Sequence, residues 1–353
     1  MRLLELGGQS ALRSQTVYHA IAYGVSAGAP DTLCLMHPVE PYVCLGFHRS
    51  HAELDLRECR RRGLRVLRRR LGGGPVYLDS DQLFFQIVVH ASRAPFSVED
   101  SYRAFLTPAV TAFRRLGIAA SLHGTNDICV QGRKLSGTGM ARIEDAVVCV
   151  GNVIFDFDFD AMVSVLAIDD ATRGAFARLQ SRYLTTVRRE LGREVTRDEV
   201  RDAIVTAYAD GLGTELVPGE LTPVERERVE ELDALFTSPE WLEDGDAVPA
   251  GARQVKVRGG ASVFATRVAR GGTELRATVS LVDGRVADVQ FSSPGWRASP
   301  AALDVVSTAF RGLSAQRDIL LGAARRSWSG VIAPVLPEDL VDCVMLAEQG
   351  RAG

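Results

Sequence analysis

Lysine is nearly missing from this chain. Of 41 basic residues only two are lysine, Lys134 and Lys256, and all the others are arginine. A composition so skewed puts guanidinium wherever any positive charge serves. A retained lysine is then a candidate for a task that guanidinium cannot perform. Arginine is planar, forked and always charged, whereas lysine is a compact point charge on a flexible stem. Other absences narrow the class. No apolar run approaches the roughly eighteen residues of a membrane span. No Gly-x-x-x-x-Gly-Lys-[Ser/Thr] stretch occurs, which excludes a P-loop kinase. The six cysteines (Cys34, Cys44, Cys59, Cys129, Cys149, Cys343) form no C-x-x-C pair and have no histidines at zinc spacing. Net charge is only −3, so nothing global favours a nucleic-acid or anionic-membrane partner. Met1 to Gln9 has no charged-then-apolar-then-small layout. The expectation is a reduced, cytoplasmic enzyme whose cysteines are mostly buried small hydrophobes, with monomer as the default state.

What is present is an ordinary globular composition, 46% hydrophobic and 24% charged over 353 residues, long enough for two domains. Periodicity and punctuation predict helices over 12–27, 53–62, 98–116 and 221–236, with most of 161–210 helical. Gly63 and Gly117 stop two of these helices, and Thr196 is a ready N-cap. Strands are expected at 32–36, 42–47, 64–70 and 146–159. A hairpin is read at 76–78 with 83–89, and another at 128–130 with 135 onward. The loop 237–251, rich in Asp, Gly and Pro, reads as a linker. Beyond it, 254–257, 261–267, 274–282 and 285–291 read as antiparallel strands, with Asp283-Gly284 as a hairpin turn, and 300–326 as one or two helices. The division drawn is 1–240 and 252–345: a larger mixed α/β domain, then a small α+β domain.

Two stretches carry chemistry. Arg68-Arg69-Arg70-Leu71-Gly72-Gly73-Gly74-Pro75-Val76-Tyr77-Leu78-Asp79 brings a basic strand to three glycines. A backbone without Cβ atoms can turn its N–H groups on an anion. Gly124-Thr125-Asn126-Asp127-Ile128-Cys129-Val130-Gln131-Gly132-Arg133-Lys134-Leu135-Ser136-Gly137 places the rare lysine after an Asn-Asp corner. Asp127 is the candidate Mg²⁺ ligand, since one carboxylate beside nucleotide phosphates is the usual arrangement. Lys134 is the candidate catalytic residue, able to neutralise a carboxylate and the phosphorus it attacks. Taken singly, the first reads also as a strand turn beside a solvated basic face, and the second as a plain β-hairpin.

Together and in this order the two stretches resemble the lipoate–protein ligase family: Arg-Arg two residues before Gly-Gly-Gly, then Asp, then Asn-Asp, then Arg-Lys-x-Ser-Gly. The resemblance covers most of the chain. Residues 43–47 are similar to the family's early strand ending in glycine, and roughly 254–330 to the accessory domain of its long members. It implies a mixed-sheet biotin/lipoate-ligase-like catalytic domain with a small α+β C-terminal accessory domain. It also implies an ATP-dependent ligase that converts lipoate, with ATP and Mg²⁺, to lipoyl-AMP. The lipoyl group then passes to a lysine of a carrier protein. That carrier is a 2-oxoacid dehydrogenase lipoyl domain, the glycine-cleavage carrier protein or a specialised lipoate-binding protein. By the same resemblance Lys134 contacts the lipoyl carboxylate and the α-phosphate. Gly73 and Gly74 line acyl chain and nucleotide, Arg69 flanks the acyl pocket, Tyr77 and Gln82 frame adenine, and Asn126 and Asp127 meet phosphate and metal. Gly72, Ser136, Gly137 and Gly151 complete the binding set.

The chain departs from the family around the pockets. Arg70 and Leu71 stand where serine is frequent, Leu78 where a histidine is usual, and Val150-Gly151, followed by Asn152, where the family has His-Gly. The first helix carries Tyr18-His19-Ala20-Ile21-Ala22 in place of Asn-Leu-Ala-x-Glu. The alternative within the same fold is an ATP-independent octanoyl or lipoyl carrier-to-protein acyltransferase, which works through cysteine or lysine chemistry. A biotin ligase lacks support because its Gly-Arg-Gly-Arg-x-Gly loop is missing, and a non-catalytic carrier-binding module leaves Lys134 without a purpose. Phe155-Asp156-Phe157-Asp158-Phe159-Asp160 reads as a strand with Phe inward and Asp outward rather than as a metal site. Arg60-Arg61-Arg62 reads as a solvated helix end, and His123 as a loop histidine.

Overall fold

A computed structural model describes residues 1–243, 253–270, 273–292, 300–328 and 335–350. The chain divides into two compact units. The first holds Met1–Ala167 and Leu184–Val248, the second Ile168–Tyr183 and Pro249–Gly353.

The first unit is built on a six-stranded mixed sheet. Its order is Thr138–Ile143, Ala146–Ile154, Gln82–His90, Thr32–Pro38, Arg2–Gln9 and Val217–Pro218. The first four are mutually antiparallel, while Arg2–Gln9 runs parallel to both its neighbours. Period-two alternation sends residues to opposite faces. Leu33, Leu35, Phe85 and Ile87 join one core with residues of the helices Val98–Arg115 and Arg197–Leu212. Cys34, Met36, Phe84 and Val88 join another with residues of Arg13–Ser26 and Pro223–Phe236. Pro223–Phe236 starts with a full capping box on Thr222 and Glu225. Glu225 also takes a two-pronged ion pair from Arg2 at 2.9 and 2.6 Å, with both side chains buried.

Two three-stranded sheets are added to this frame. One is Arg65–Arg68, Tyr42–Leu45 and Val76–Leu78; the other is Ser121–His123, Asp127–Val130 and Arg133–Ser136. They bear the two stretches singled out above.

The second unit is an antiparallel four-stranded meander: Arg253–Arg258, Ala261–Arg270, Thr273–Val282 and Arg285–Ser292. Asp283 (φ 48°) and Gly284 (φ 76°) form the expected turn. Pro300–Phe310, Arg317–Ser327, Pro337–Gly350 and Asp170–Tyr183 are its helices. Lys256 is exposed on its first strand. A larger mixed α/β unit followed by a smaller α+β one is the fold class the sequence implied.

Several expectations need correction. Val76–Leu78 and Gln82–His90 are not a hairpin: the first pairs with Tyr42–Leu45 and the second lies inside the large sheet. Strand 146–159 ends at Ile154. The Phe-in, Asp-out alternation persists in burial, but Asp158 caps the helix Phe159–Ser164. Asp156 pairs with Arg188 and Asp160 with Arg62, so these carboxylates serve structure. Residues 239–243 of the expected linker form a helix whose Trp241 is buried; 244–251 lie outside the described residues. Strand Arg2–Gln9 escaped notice because Gly7-Gly8 and an irregular register between Glu5 and Gly7 interrupt its pattern. Among the described residues no helix is long and apolar enough to cross a membrane.

Candidate active site

The basic strand does not present its arginines uniformly. Arg68 is fully buried, and its guanidinium donates to the carbonyls of Leu242 (2.9 and 2.6 Å), Phe47 (2.9 Å) and Arg49 (2.5 Å). Trp241 Nε1 returns a bond to Arg68 O at 3.0 Å. Arg69 donates to Cys44 O at 2.9 Å, to Gly72 O at 3.2 and 2.7 Å, and to Gly74 O at 2.9 Å. It therefore braces the glycine loop from within, and Arg70 lies over the Trp241 ring at 5.6 Å. Gly72 and Gly73 are exposed and Gly74 half-buried. Gly73 needs its positive φ of 95°. The loop sits so close to the end of the Tyr42–Leu45 strand that a Cβ on Gly46 would lie 2.0 Å from Gly73 O. Past the loop, Tyr77 is buried with its ring edge-on to Phe157 at 6.1 Å. Burial, then Asp79, pushes its hydroxyl up to about 12. Asp79 is itself raised, by burial first.

The second stretch folds as a hairpin. Gln131 (φ 49°) and Gly132 (φ 76°) make the two-residue turn, and a register shift between Ile128 and Cys129 sets Lys134 opposite Cys129. Lys134 Nζ lies 2.8 Å from Asp127 Oδ1; the lysine side chain is 19% exposed and the aspartate 3%. Lys134 O accepts from Thr185 N at 2.9 Å. Its neighbour Arg133 turns away to Glu190 at 2.9 Å. Asn126 Nδ2 reaches Thr138 O at 3.4 Å, and Thr138 Oγ1 donates to Asn126 O. Asn126, Asp127, Lys134, Gly137 and Thr138 thus form one corner. Ser136 is fully buried and its hydroxyl has no hydrogen-bond partner among the described residues. His123 stands opposite Asp127 in the sheet register.

The two stretches meet. The Cβ position of Gly139 lies 3.8 Å from the side chain of Leu71, the residue before the glycines. A chain of amides also joins them. Gly137 N donates to Asn152 Oδ1 at 2.7 Å, Asn152 Nδ2 to Gln82 Oε1 at 2.7 Å, and Gln82 Nε2 to Tyr77 O at 3.3 Å. Gln82 has no exposed surface. Gly151 is buried against Phe85, whose ring carbons would lie 2.1 to 2.9 Å from a Cβ there. Asn152 carried no assignment from sequence; its one signal was its place directly after Gly151.

All six cysteines are buried. Burial pushes the thiols of Cys34, Cys44, Cys59, Cys149 and Cys343 up, and Cys129 is 2% exposed. No group of three or more His, Cys, Asp or Glu suited to a metal occurs among the described residues. Asp127 is the carboxylate that meets Lys134 at this corner, and a single hard oxygen ligand fits a Mg²⁺ that takes its other ligands from phosphates and water.

Comparison with known proteins adds the following. The family model described as "Lipoyl protein ligase A/B catalytic domain" matches residues 12–209. Octanoyltransferase LipM of Kyrpidia tusciae is 30% identical over 267 residues, which is 68% of this chain and 97% of that protein. A bi-partite lipoate protein ligase from Thermoplasma acidophilum, described with its E2 lipoyl domain, superposes with a TM-score of 0.64 at 24% identity, covering 70% of this chain and 98% of its own. P. falciparum LipL1, solved with lipoate, covers 100% of this chain and 99% of its own at a TM-score of 0.55 and 13% identity. The last two likenesses are of fold.

Proposed function

Because the chain belongs to the lipoyl protein ligase A/B catalytic-domain family, we propose that it is an ATP-dependent lipoate–protein ligase acting on a lipoyl carrier domain. The family includes ligases and octanoyltransferases, and the choice between them rests on the site. The observation that carries the ligase reading is the Lys134–Asp127 corner beside the exposed glycine loop, in a chain whose thiols are all buried. Transfer through an acyl-cysteine requires an accessible thiolate. Burial works against that at five of the six cysteines, and the sixth is sealed in a strand.

In the proposed reaction the lipoate carboxylate attacks the α-phosphorus of ATP. A C–O–P bond forms, the bond to the bridging oxygen breaks, and pyrophosphate leaves. Two anions must meet, which demands fixed positive charge. Lys134 supplies it: held by Asp127 before substrate arrives, it carries its point charge to the carboxylate and phosphate on a flexible stem. Gly72, Gly73 and Gly74 let the ligands approach backbone, Arg69 keeps that loop in shape, and Asn126 fixes the corner through Thr138. Asp127 would hold a Mg²⁺, which when bound would supply charge neutralisation to the departing pyrophosphate. Tyr77, Ser136 and Gly151 wall the site against water. The carrier lysine then attacks the acyl carbonyl, an amide forms, and AMP departs with the electron pair of the anhydride bond. The second unit serves as the accessory domain of a long single-chain ligase.

The likeness to LipM favours a second reading, ATP-independent transfer of an octanoyl group from one carrier to another. Mass gain on an apo lipoyl domain separates the two, with lipoate, ATP and Mg²⁺ in one arm and an octanoylated carrier without ATP in the other. Gain in the first arm alone, lost by at least about 10³-fold in Lys134→Arg with folding intact, is the expected result. Gain in the second arm alone overturns the ligase reading.

A further inference from the structure

We propose that Asn152 is the positioning residue of Lys134, tying its turn to the segment after the glycine loop. The assignment rests on the reading of Lys134 given above. Asn152 lies on the Ala146–Ile154 strand, opposite Phe84 in register, and is half-buried. Gly137 falls between two strands, Arg133–Ser136 and Thr138–Ile143. Its N–H goes to Asn152 Oδ1 at 2.7 Å. The other end of the Asn152 amide donates to Gln82 at 2.7 Å, and Gln82 is oriented by its own bond to Tyr77 O. Each amide in the series has one donor end and one acceptor end. The Tyr77 carbonyl accepts only, so Gln82 must turn its oxygen toward Asn152, and Asn152 must turn its oxygen toward Gly137. The relay has a single orientation, and losing Asn152 takes from buried Gln82 the partner of its oxygen and from the Gly137 N–H its acceptor.

The same space holds the lysine. A Cβ placed on Gly137 would lie 3.5 Å from Asn152 Oδ1 and 3.9 Å from Lys134 Cε. Asn152 therefore fixes the peptide against which the lysine stem runs, while Asp127 holds the tip at 2.8 Å. Released from Asn152, the Gly137 turn swings and Lys134 loses its aim.

The near absence of lysine supplies the test. Lys134 and exposed Lys256 are the only lysines, so acylation by an amine-reactive ester, read by peptide mass, reports Lys134 with Lys256 as internal standard. The full chain is compared with Asn152→Leu, similar in size but unable to bond, and Asn152→Asp, which keeps the acceptor for Gly137. In Asn152→Leu the Lys134:Lys256 labelling ratio rises at least about threefold and kcat falls about 10²-fold, the scale of a 1 Å misplacement. KM for lipoate and ATP stays within about threefold, and Asn152→Asp recovers at least about tenfold in kcat. Asn152→Ser gives the same outcome should the leucine variant fail to fold. An unchanged labelling ratio overturns the proposal, as does a loss that falls on KM, which makes Asn152 a substrate contact. A wild-type chain inactive with either acyl donor defeats the functional reading instead, and the labelling ratio still judges Asn152.

Discussion

Gly46→Ala tests the packing of the glycine loop. Gly46 has no positive φ, so alanine is acceptable to its backbone, and any effect comes from space. The new Cβ would lie 2.0 Å from Gly73 O, 3.0 Å from Gly73 C and 3.2 Å from Gly72 C. All three are backbone atoms, so no rotamer change relieves the contact. Opening the closest gap from 2.0 Å to the shortest tolerable 3.0 Å moves the loop by at least 1.0 Å. The loop is held by Arg69 on three carbonyls and by the bond from Phe47 N to Leu71 O at 3.0 Å. The shift strains or breaks part of that set. Overpacking of this kind costs about 1–3 kcal/mol, and each lost hydrogen bond about 1 more. A total near 2–3 kcal/mol lowers Tm by roughly 4–12 °C for a unit of this size. A reacting loop misplaced by about 1 Å loses about 10²-fold in kcat/KM. Gly72→Ala is the stability control, because its Cβ position has nothing within 4 Å. Thermal melts and carrier acylation rates read both effects. Wild-type Tm and kcat/KM in Gly46→Ala would refute the reasoning, since the loop then does not touch this strand end.

Further outcomes follow from the same geometry. Cys129→Ala and Cys149→Ala each retain at least about a third of wild-type activity, because neither buried thiol acts as a nucleophile; a hundredfold loss in either restores the acyl-cysteine route. Glu225→Gln leaves the Arg2 guanidinium buried without its counter-charge and lowers stability by about 3 kcal/mol in denaturant melts; a change below about 1 kcal/mol contradicts the ion pair. His19 is buried with neither ring nitrogen hydrogen-bonded among the described residues, and burial, then Arg70, holds its pKa down to about 3. A depressed folded pKa gives stability that is complete above about pH 6.5 and drains as the unfolded chain takes up the proton, about 2 kcal/mol by pH 5. His19→Phe flattens the stability–pH curve over that window; an unaltered slope assigns the acid lability to other groups.

The two stretches that make up the candidate site were legible because their signals are local. A glycine triplet after a basic strand and a rare lysine after Asn-Asp need only a few residues of context. The Gln131-Gly132 turn is fixed by backbone chemistry alone. Long-range pairing was not legible. Val76–Leu78 and Gln82–His90 look like one hairpin in sequence, yet they belong to different sheets, and no local preference distinguishes the two pairings. The inward turn of Arg68 was equally hidden. Its partners are carbonyls of residues 47, 49 and 242, and carbonyls have no sequence signature. Asn152 went unassigned for the same reason: its meaning lies in Gly137 and Gln82, distant along the chain.

The arginine excess and the lysine scarcity describe one division of labour. Where the fold needs a cation as a brace, it uses the whole fork. Arg68 spans the carbonyls of Phe47, Arg49 and Leu242, Arg69 those of Cys44, Gly72 and Gly74, and Arg2 both oxygens of Glu225. An ammonium has three donors on one atom and cannot reach acceptors spread this widely. Lys134 is the opposite case. Its tip meets one carboxylate oxygen, and its stem runs beside Gly137 and Asn152. A brace must stay in place, whereas in the proposed reaction a charge that follows a carboxylate onto phosphorus must let go of Asp127 and move. Arg69→Lys and Lys134→Arg are therefore not mild exchanges in either direction. The first removes the multi-point grip on the glycine loop, and the second turns a mobile charge into a fixed one.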